Sequence, residues 1–310
     1  VDGLGIYTLF LIQSKLTAMK RLNSLTLALL FVTCAHAQEQ AAMLQPQLIS
    51  DNGVFGFTLS PDGRHGLWVK SNGKRDTLYI VESKRSDRGW TQPQVASFST
   101  GDGKWKDIDP IFSPDGNMIL FQSTRPVPGK PQRTGFDIWA VKRTPNGWSE
   151  AFHLGNDING EDSESYASIT ANQHIYFMKS AEGQSTNSDI FVSRWNGHSW
   201  QKPENLGMPV NTISNRESNP FISEEEDFLI YFSTDSSGFG EVDLYISFRE
   251  NGKWTKPKNL GPAINTRQAE FCPFYHKKEK RLYFSRQERL KDRMKENIYS
   301  IKFDPDSYRQ

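Results

Sequence analysis

Cysteine is nearly absent from this chain: Cys34 and Cys272 are the two among 310 residues. If the segment bearing Cys34 is removed, Cys272 stands alone and no internal disulfide can form. Stability must then come from a buried core, and Cys272 reads as a buried, inert thiol in an inner strand. Charge of one sign is also lacking, with 37 Lys and Arg against 36 Asp and Glu for a formal net charge of +1. That balance excludes the basic face of a nucleic-acid binder. The locally basic stretch 291–295 reads as a solvated loop between strands. Catalytic signatures are missing as well. There is no G-x-S-x-G nucleophile elbow and no glycine-rich phosphate loop after a strand. His65, His153, His174, His198 and His276 fall at unrelated repeat positions without metal-ligand spacing, and are expected at the surface or in loops.

One apolar run exists near the start. Residues 1–18 read as an upstream over-extension, and Met19 opens a better start. Lys20 and Arg21 form a positive region, 25–32 an apolar one, and Ala35-His36-Ala37 a cleavage site before Gln38. This is a bacterial-type signal peptide over 19–37, which predicts a periplasmic or secreted mature chain, 38–310. The run is too short to cross ~30 Å of hydrocarbon. Cys34 as a lipidated residue is disfavoured, because Phe31-Val32-Thr33 is a poor lipobox. No later run reaches the roughly 18 residues of a membrane helix, so a soluble monomer is expected.

The mature chain is built of repeats. Residues 216–266 show the unit best, with strand-like runs at 219–222, 228–233, 244–248 and 254–260 separated by turn residues. Each run is short and rich in β-branched and aromatic residues. Equivalent turns start at residues 60, 113, 170, 223 and 276, at steps of 53, 57, 53 and 53. Four short strands at a period near 50 residues read as a propeller blade. The expected fold is therefore all-β: a five-bladed propeller of four-stranded blades, with six blades as the alternative.

The repeat has identifiable parts. In Ser60-Pro61-Asp62-Gly63 and Ser113-Pro114-Asp115-Gly116, proline presets φ, aspartate bonds back to the backbone and glycine takes a positive φ. Asp76, Asp137, Asp189 and Asp243 precede the third strand and are expected to accept backbone N–H bonds at its start. Trp90, Trp148, Trp200 and Trp254 recur at the start of the fourth strand in a W-x-x-P-like motif. They suit packing at the widening rim between blades better than sugar stacking. Proline is tolerated there on an edge. The fifth copy lacks this tail. Residues 43–48 resemble it with Met43 for Trp, so the N-terminal strand is expected to complete the last blade and close the ring.

These motifs resemble the PD40, or WD40-like, repeats of the TolB-like family of bacterial envelope proteins. The carriers are Ser113-Pro114-Asp115-Gly116, Phe121-Gln122-Ser123-Thr124-Arg125 and Asp137-Ile138-Trp139, with Leu260-Gly261-Pro262-Ala263-Ile264-Asn265-Thr266 similar to the linker between blades. The resemblance implies an exported propeller that binds something. It does not extend to the extra N-terminal α/β domain of TolB.

One pattern goes beyond the fold. Six residues before each turn start stands an acid, Asp107, Glu164, Glu217 or Glu270, except in the first copy, which has Val54. Equivalent positions in a propeller form a ring, expected here at the mouth of the central channel. Four converging carboxylates would suit Ca²⁺, a basic peptide or acid/base work on a glycoside. Alternatively, each acid holds backbone N–H groups or a neighbouring arginine. No cofactor is expected for the fold itself. The loops after the second strands, 126–135, 181–188, 236–241 and 287–296, differ most between copies, as a binding surface would. The leading expectation is a non-catalytic scaffold for an envelope protein, peptide or glycan. The alternative is a carbohydrate-active enzyme, a hydrolase or lyase using channel carboxylates.

Overall fold

A computed structural model describes residues 39–309 apart from 128, 130–134, 162, 182 and 183. The chain divides into residues 1–39 and 40–310. The over-extension, the signal peptide and Cys34 lie outside the described residues, as do parts of the loops 126–135 and 181–188. No helix among the described residues is long and apolar enough to cross a membrane.

Residues 40–310 are all β, with five antiparallel sheets forming a five-bladed propeller. The innermost strands are Val54–Leu59, Asp107–Phe112, Glu164–Ile169, Glu217–Ile222 and Ala269–His276. The second strands are His65–Ser71, Met118–Ser123, Ile175–Ala181, Phe228–Ser233 and Arg281–Arg289. The third are Leu78–Ser86, Asp137–Thr144, Gln184–Ser193, Asp243–Glu250 and Met294–Lys302. Ala42–Met43 pairs antiparallel with Met294–Lys302, placing Ala42 opposite Ser300 and Met43 opposite Tyr299. The N-terminal strand thus closes the last blade, as its sequence predicts.

Burial explains the strand pattern. The second strands carry Leu67-Trp68-Val69, Ile119-Leu120-Phe121, Ile175-Tyr176-Phe177, Leu229-Ile230-Tyr231 and Leu282-Tyr283-Phe284, each residue at most 3% exposed. They are apolar on both faces because a neighbouring blade covers each face. In the first turn, Arg64 N–H donates to Asp62 Oδ1 at 3.0 Å and Gly63 takes φ +78°. Asp115 and Gly116 repeat the arrangement.

The fourth strands depart from expectation. The continuous run expected over 254–260 is two pieces, Lys253–Trp254 and Lys258–Asn259. Pro257 lies between them and has no N–H for the ladder. The tryptophans pack as expected of rim residues. Trp254 meets Tyr176 of the preceding blade edge-on at 6.2 Å, and Trp148 meets Phe98 and Phe112. Trp90 sits on Phe57, and Trp200 on Trp195. The third-strand acids hold different partners from blade to blade. Asp243 accepts from Phe239 N–H and Gly240 N–H. Asp137 pairs with His153, Asp189 with Asn205 Nδ2, and Asp76 lies near Asn72 Nδ2. The histidine expectation is corrected at His276. It is buried, its Nε2 bonded to Ser60 O at 3.1 Å, because the innermost strand of blade five runs on to it.

Side chains from the linkers between blades tie the third strands in place. Asn265 Oδ1 accepts from Leu244 N–H at 2.9 Å while its Nδ2 donates to Leu244 O at 2.9 Å. Asn211 clamps Ile190 and Asn159 clamps Ile138 in the same two-point way. Ser99 Oγ accepts from Ile80 N–H, and Ser50 Oγ from Ile298 N–H. Asn265→Ala would leave the buried Leu244 N–H without its acceptor, while Leu244 O keeps the Leu260 N–H at 3.0 Å. It should cost roughly 1–3 kcal/mol, read as a lower urea midpoint at unchanged slope. A midpoint equal to that of the wild type would show that the clamp contributes nothing.

Candidate functional site

Each innermost strand contains one bulge. The register shifts between Phe55 and Thr58, Ile108 and Ile111, Ser165 and Ser168, Ser218 and Phe221, and Phe271 and Phe274. The first bulge residue is left-handed every time: Gly56 at φ +64°, Asp109 at +52°, Tyr166 at +57°, Asn219 at +56° and Cys272 at +53°. A bulge breaks the strict alternation of a strand and re-aims a side chain. Left-handed backbone costs an L residue about 1–2 kcal/mol, yet four of the five positions are not glycine. Pro110, Pro220 and Pro273 follow three of them, at positions freed from the ladder.

Gly56, Asp109, Tyr166 and Cys272 meet at the waist of the channel. Cys272 Sγ lies 3.8 Å from Asp109 Oδ1, and Cys272 N–H donates to Asn219 Oδ1 at 3.1 Å. A Cβ on residue 56 would stand 2.9 Å from Asp109 Oδ1, so glycine there leaves room for that carboxyl. Below the waist is a cavity of about 690 Å³ with apolar walls including Ile111, Phe221 and Phe274. Above it, on the face where the innermost strands begin, is one of about 450 Å³. Arg75, Lys106, Asp109, Tyr166, Arg216 and Asn219 all reach its wall.

The upper cavity sets firmly held polar groups among aromatic rings. Arg75 lies over Phe55 at 4.7 Å and Phe271 at 5.8 Å, and is ion-paired with Glu296. Gln287 Nε2 donates to the same Glu296 oxygen at 2.8 Å. Glu296 is fully buried behind Arg75 and Gln287, and it holds the guanidinium in place. Arg75 Nε and the Tyr166 hydroxyl are buried without a hydrogen-bond partner. Asp109 is buried, and desolvation pushes its pKa up to about 7 against the opposing pull of Arg75 and Cys272. Burial also raises the Cys272 thiol well above its usual range. It is an inert neighbour rather than a nucleophile.

The acid ring expected at the channel mouth is corrected by this geometry. Asp107, Glu164, Glu217 and Glu270 are each at most 1% exposed, and the upper cavity is lined by their sequence neighbours instead. Asp107 accepts from Ser99 and Ser123 Oγ and pairs with Arg125 at 3.0 Å. Glu217 accepts from Thr212 N–H and Oγ1 and from Ser233 Oγ, and burial raises its pKa. Glu270 does the same with Thr266 and pairs with Arg286 at 2.6 Å; burial raises it too. Glu164 lies 3.7 Å from Lys179. The reason is strand alternation: residues one position on face the channel, so these acids face their own linker. Among the described residues no three His, Cys, Asp or Glu side chains are grouped to hold a metal.

The residues that do meet were not singled out from the sequence: Arg75, Asp109, Tyr166, Arg216 and Glu296. A signal existed four residues before each turn start. Gly56, Asp109, Tyr166, Asn219 and Cys272 occupy that position, a different residue in every copy of an otherwise regular repeat.

No family model matches this chain, and no curated protein does. Among solved structures it is similar to a thermostable family-43 glycoside hydrolase, at 13% identity and TM-score 0.57, covering 85% of this chain and 94% of that one. It is also similar to a GH62 hydrolase solved with xylotriose, at 9% identity and TM-score 0.52, covering 85% and 98%. A third is the catalytic domain of a GH62 α-L-arabinofuranosidase from Coprinopsis cinerea, at 12% identity and TM-score 0.51, covering 85% and 97%. At these identities the likeness is one of fold. The expectation of a non-catalytic scaffold is corrected by it: structures matching almost end to end include glycoside hydrolases, which favours the alternative of a carbohydrate-active enzyme.

Asp109 ties stability to pH. Between the usual aspartate range and about 7, the folded chain holds a proton that the unfolded chain has released. Stability therefore falls as pH rises through that window. Asp109→Asn should match the wild type near pH 4 and exceed it above pH 7, by up to about 4 kcal/mol. Thermal melts at the two ends check this, and parallel pH profiles would show that the carboxyl is not desolvated.

Proposed function

We propose that this protein is a carbohydrate-active enzyme that breaks a glycosidic bond in the upper cavity, with Asp109 protonating the departing oxygen. The observation that carries this reading is the placement of Asp109. It is the one carboxyl among the described residues lining that cavity, it sits at the floor, and it titrates at about 7. A general acid works best with a pKa near the operating pH, and desolvation is how carboxyls reach it. The role is common to hydrolysis, where water bonds to the anomeric carbon and gives up a proton as the C–O bond breaks, and to elimination, where a neighbouring C–H proton is lost to form a double bond; both need a proton on the leaving oxygen. Arg75, held by Glu296 over two rings, and the Tyr166 hydroxyl offer donors beside it. The fold shared with family-43 and GH62 hydrolases supports the same reading. Export to the periplasm or beyond, and kinship with PD40 repeats of the TolB-like kind, fit an enzyme that meets polysaccharide outside the cytoplasm.

The test is a panel of plant and envelope polysaccharides assayed for released reducing ends. Asp109→Asn should lower the rate about 10²–10⁴-fold while the protein stays folded. Because the proton must be present, the wild-type rate should fall as pH rises through about 7. Product formation indifferent to Asp109→Asn, or no product from any glycan, would overturn the assignment.

A further inference from the structure

The upper cavity carries more positive charge than its own acids balance. Arg75, Lys106 and Arg216 line it, and Asp109 is the one acid on its wall among the described residues. Arg75 is already matched by Glu296. Arg216 is exposed at the cavity rim, with its guanidinium 5.0 Å from the Phe232 ring centroid and enough desolvation there to lower its pKa, and it has no acidic partner among the described residues. Lys106 is half-buried and equally without one. Both sit one position before an innermost-strand acid, in Lys106-Asp107 and Arg216-Glu217. Those acids turn the other way and are held by linker and second-strand groups. The alternation that removes the acid ring from the channel thus aims two cations towards it.

Leaving cations partly desolvated and unpaired is unfavourable for the free protein. An anion in the cavity would offset that cost. A guanidinium presents a planar fork suited to carboxylate or sulfate oxygens, and an ammonium adds a point charge. The aromatic rings Phe55, Phe232 and Phe271 on the same wall supply apolar surface for the body of a ring-shaped ligand.

We infer that the upper cavity takes an acidic glycan, a sugar carrying a carboxylate or sulfate, with Arg216 and Lys106 receiving the anionic group. This rests on the carbohydrate reading of the same cavity and names its substrate class. Arg216 and Lys106 set specificity, and Asp109 remains the group at the bond to be broken.

Calorimetric titration of the purified protein with defined oligosaccharides tests it. The probes are hexagalacturonate, a sulfated galactan oligosaccharide, xylohexaose and arabinohexaose. At least one acidic probe should bind about tenfold or more tightly than either neutral one, and the preference should shrink as salt is raised. Preference for hexagalacturonate assigns a carboxylate, and preference for the galactan a sulfate. Arg216→Gln and Lys106→Gln should each weaken the acidic probe about tenfold without lowering the melting temperature, because each removes an unpaired cation. The proposal falls if a neutral probe binds as well as the acidic ones, or if neither variant changes binding. In that event, cleavage of a neutral glycan dependent on Asp109 would leave the enzyme reading standing. Failure of all four probes to bind, with no cleavage, would sink both.

Discussion

The two-point bond between a linker asparagine and the third strand is the constraint on which the ring depends. Asn159, Asn211 and Asn265 each satisfy both backbone groups of one third-strand residue, and Ser99 and Ser50 stand in their place in the remaining blades. The same linkers supply Thr212 and Thr266, which hold Glu217 and Glu270 at the start of the next innermost strand. One short linker therefore grips the blade behind it and the blade ahead of it. Buried polar groups must be paired, and here the pairing also fastens each linker to the third strand behind it. Closure is completed by Ala42–Met43 on the last blade.

With the blades held in this way, the innermost strands can carry strain. Five bulges at one level narrow the channel to a waist and leave separate cavities above and below. Strained backbone of this kind persists when the surrounding structure over-determines it. The level just above is also where the polar groups gather. Asp109 is kept dry there, Arg75 is held over two phenyl rings, and Gly56 leaves the space that the carboxyl fills. The lower cavity, apolar inside and ringed by charges of both signs, and the upper one, with its excess of cations, show that a uniform frame can present two unlike faces, because bulge residues differ from blade to blade.

The acids at 107, 164, 217 and 270 were visible as a pattern because they repeat, and they repeat because each does the same structural task. Asp109 does not repeat, so no periodicity marks it. Arg75 lies in a loop of blade one and Glu296 in the third strand of blade five, 221 residues apart along the chain. Nothing local in either segment announces their ion pair. Arg216 and Lys106 read as ordinary surface charges until the direction of their neighbours is known.

The sequence by itself determined the architecture. The 53-residue step, the Ser-Pro-Asp-Gly turns, the apolar second strands and the missing tail of the fifth copy all follow from local chemistry repeated often enough to be legible. Tertiary structure decided the site. The acids stand before the bulge, and strand alternation turns them towards their own linkers. The bulge, a property of how strands pair and blades close, re-aims Asp109 into the channel. A single aspartate, two arginines and a lysine from three blades are brought together in the acids' stead.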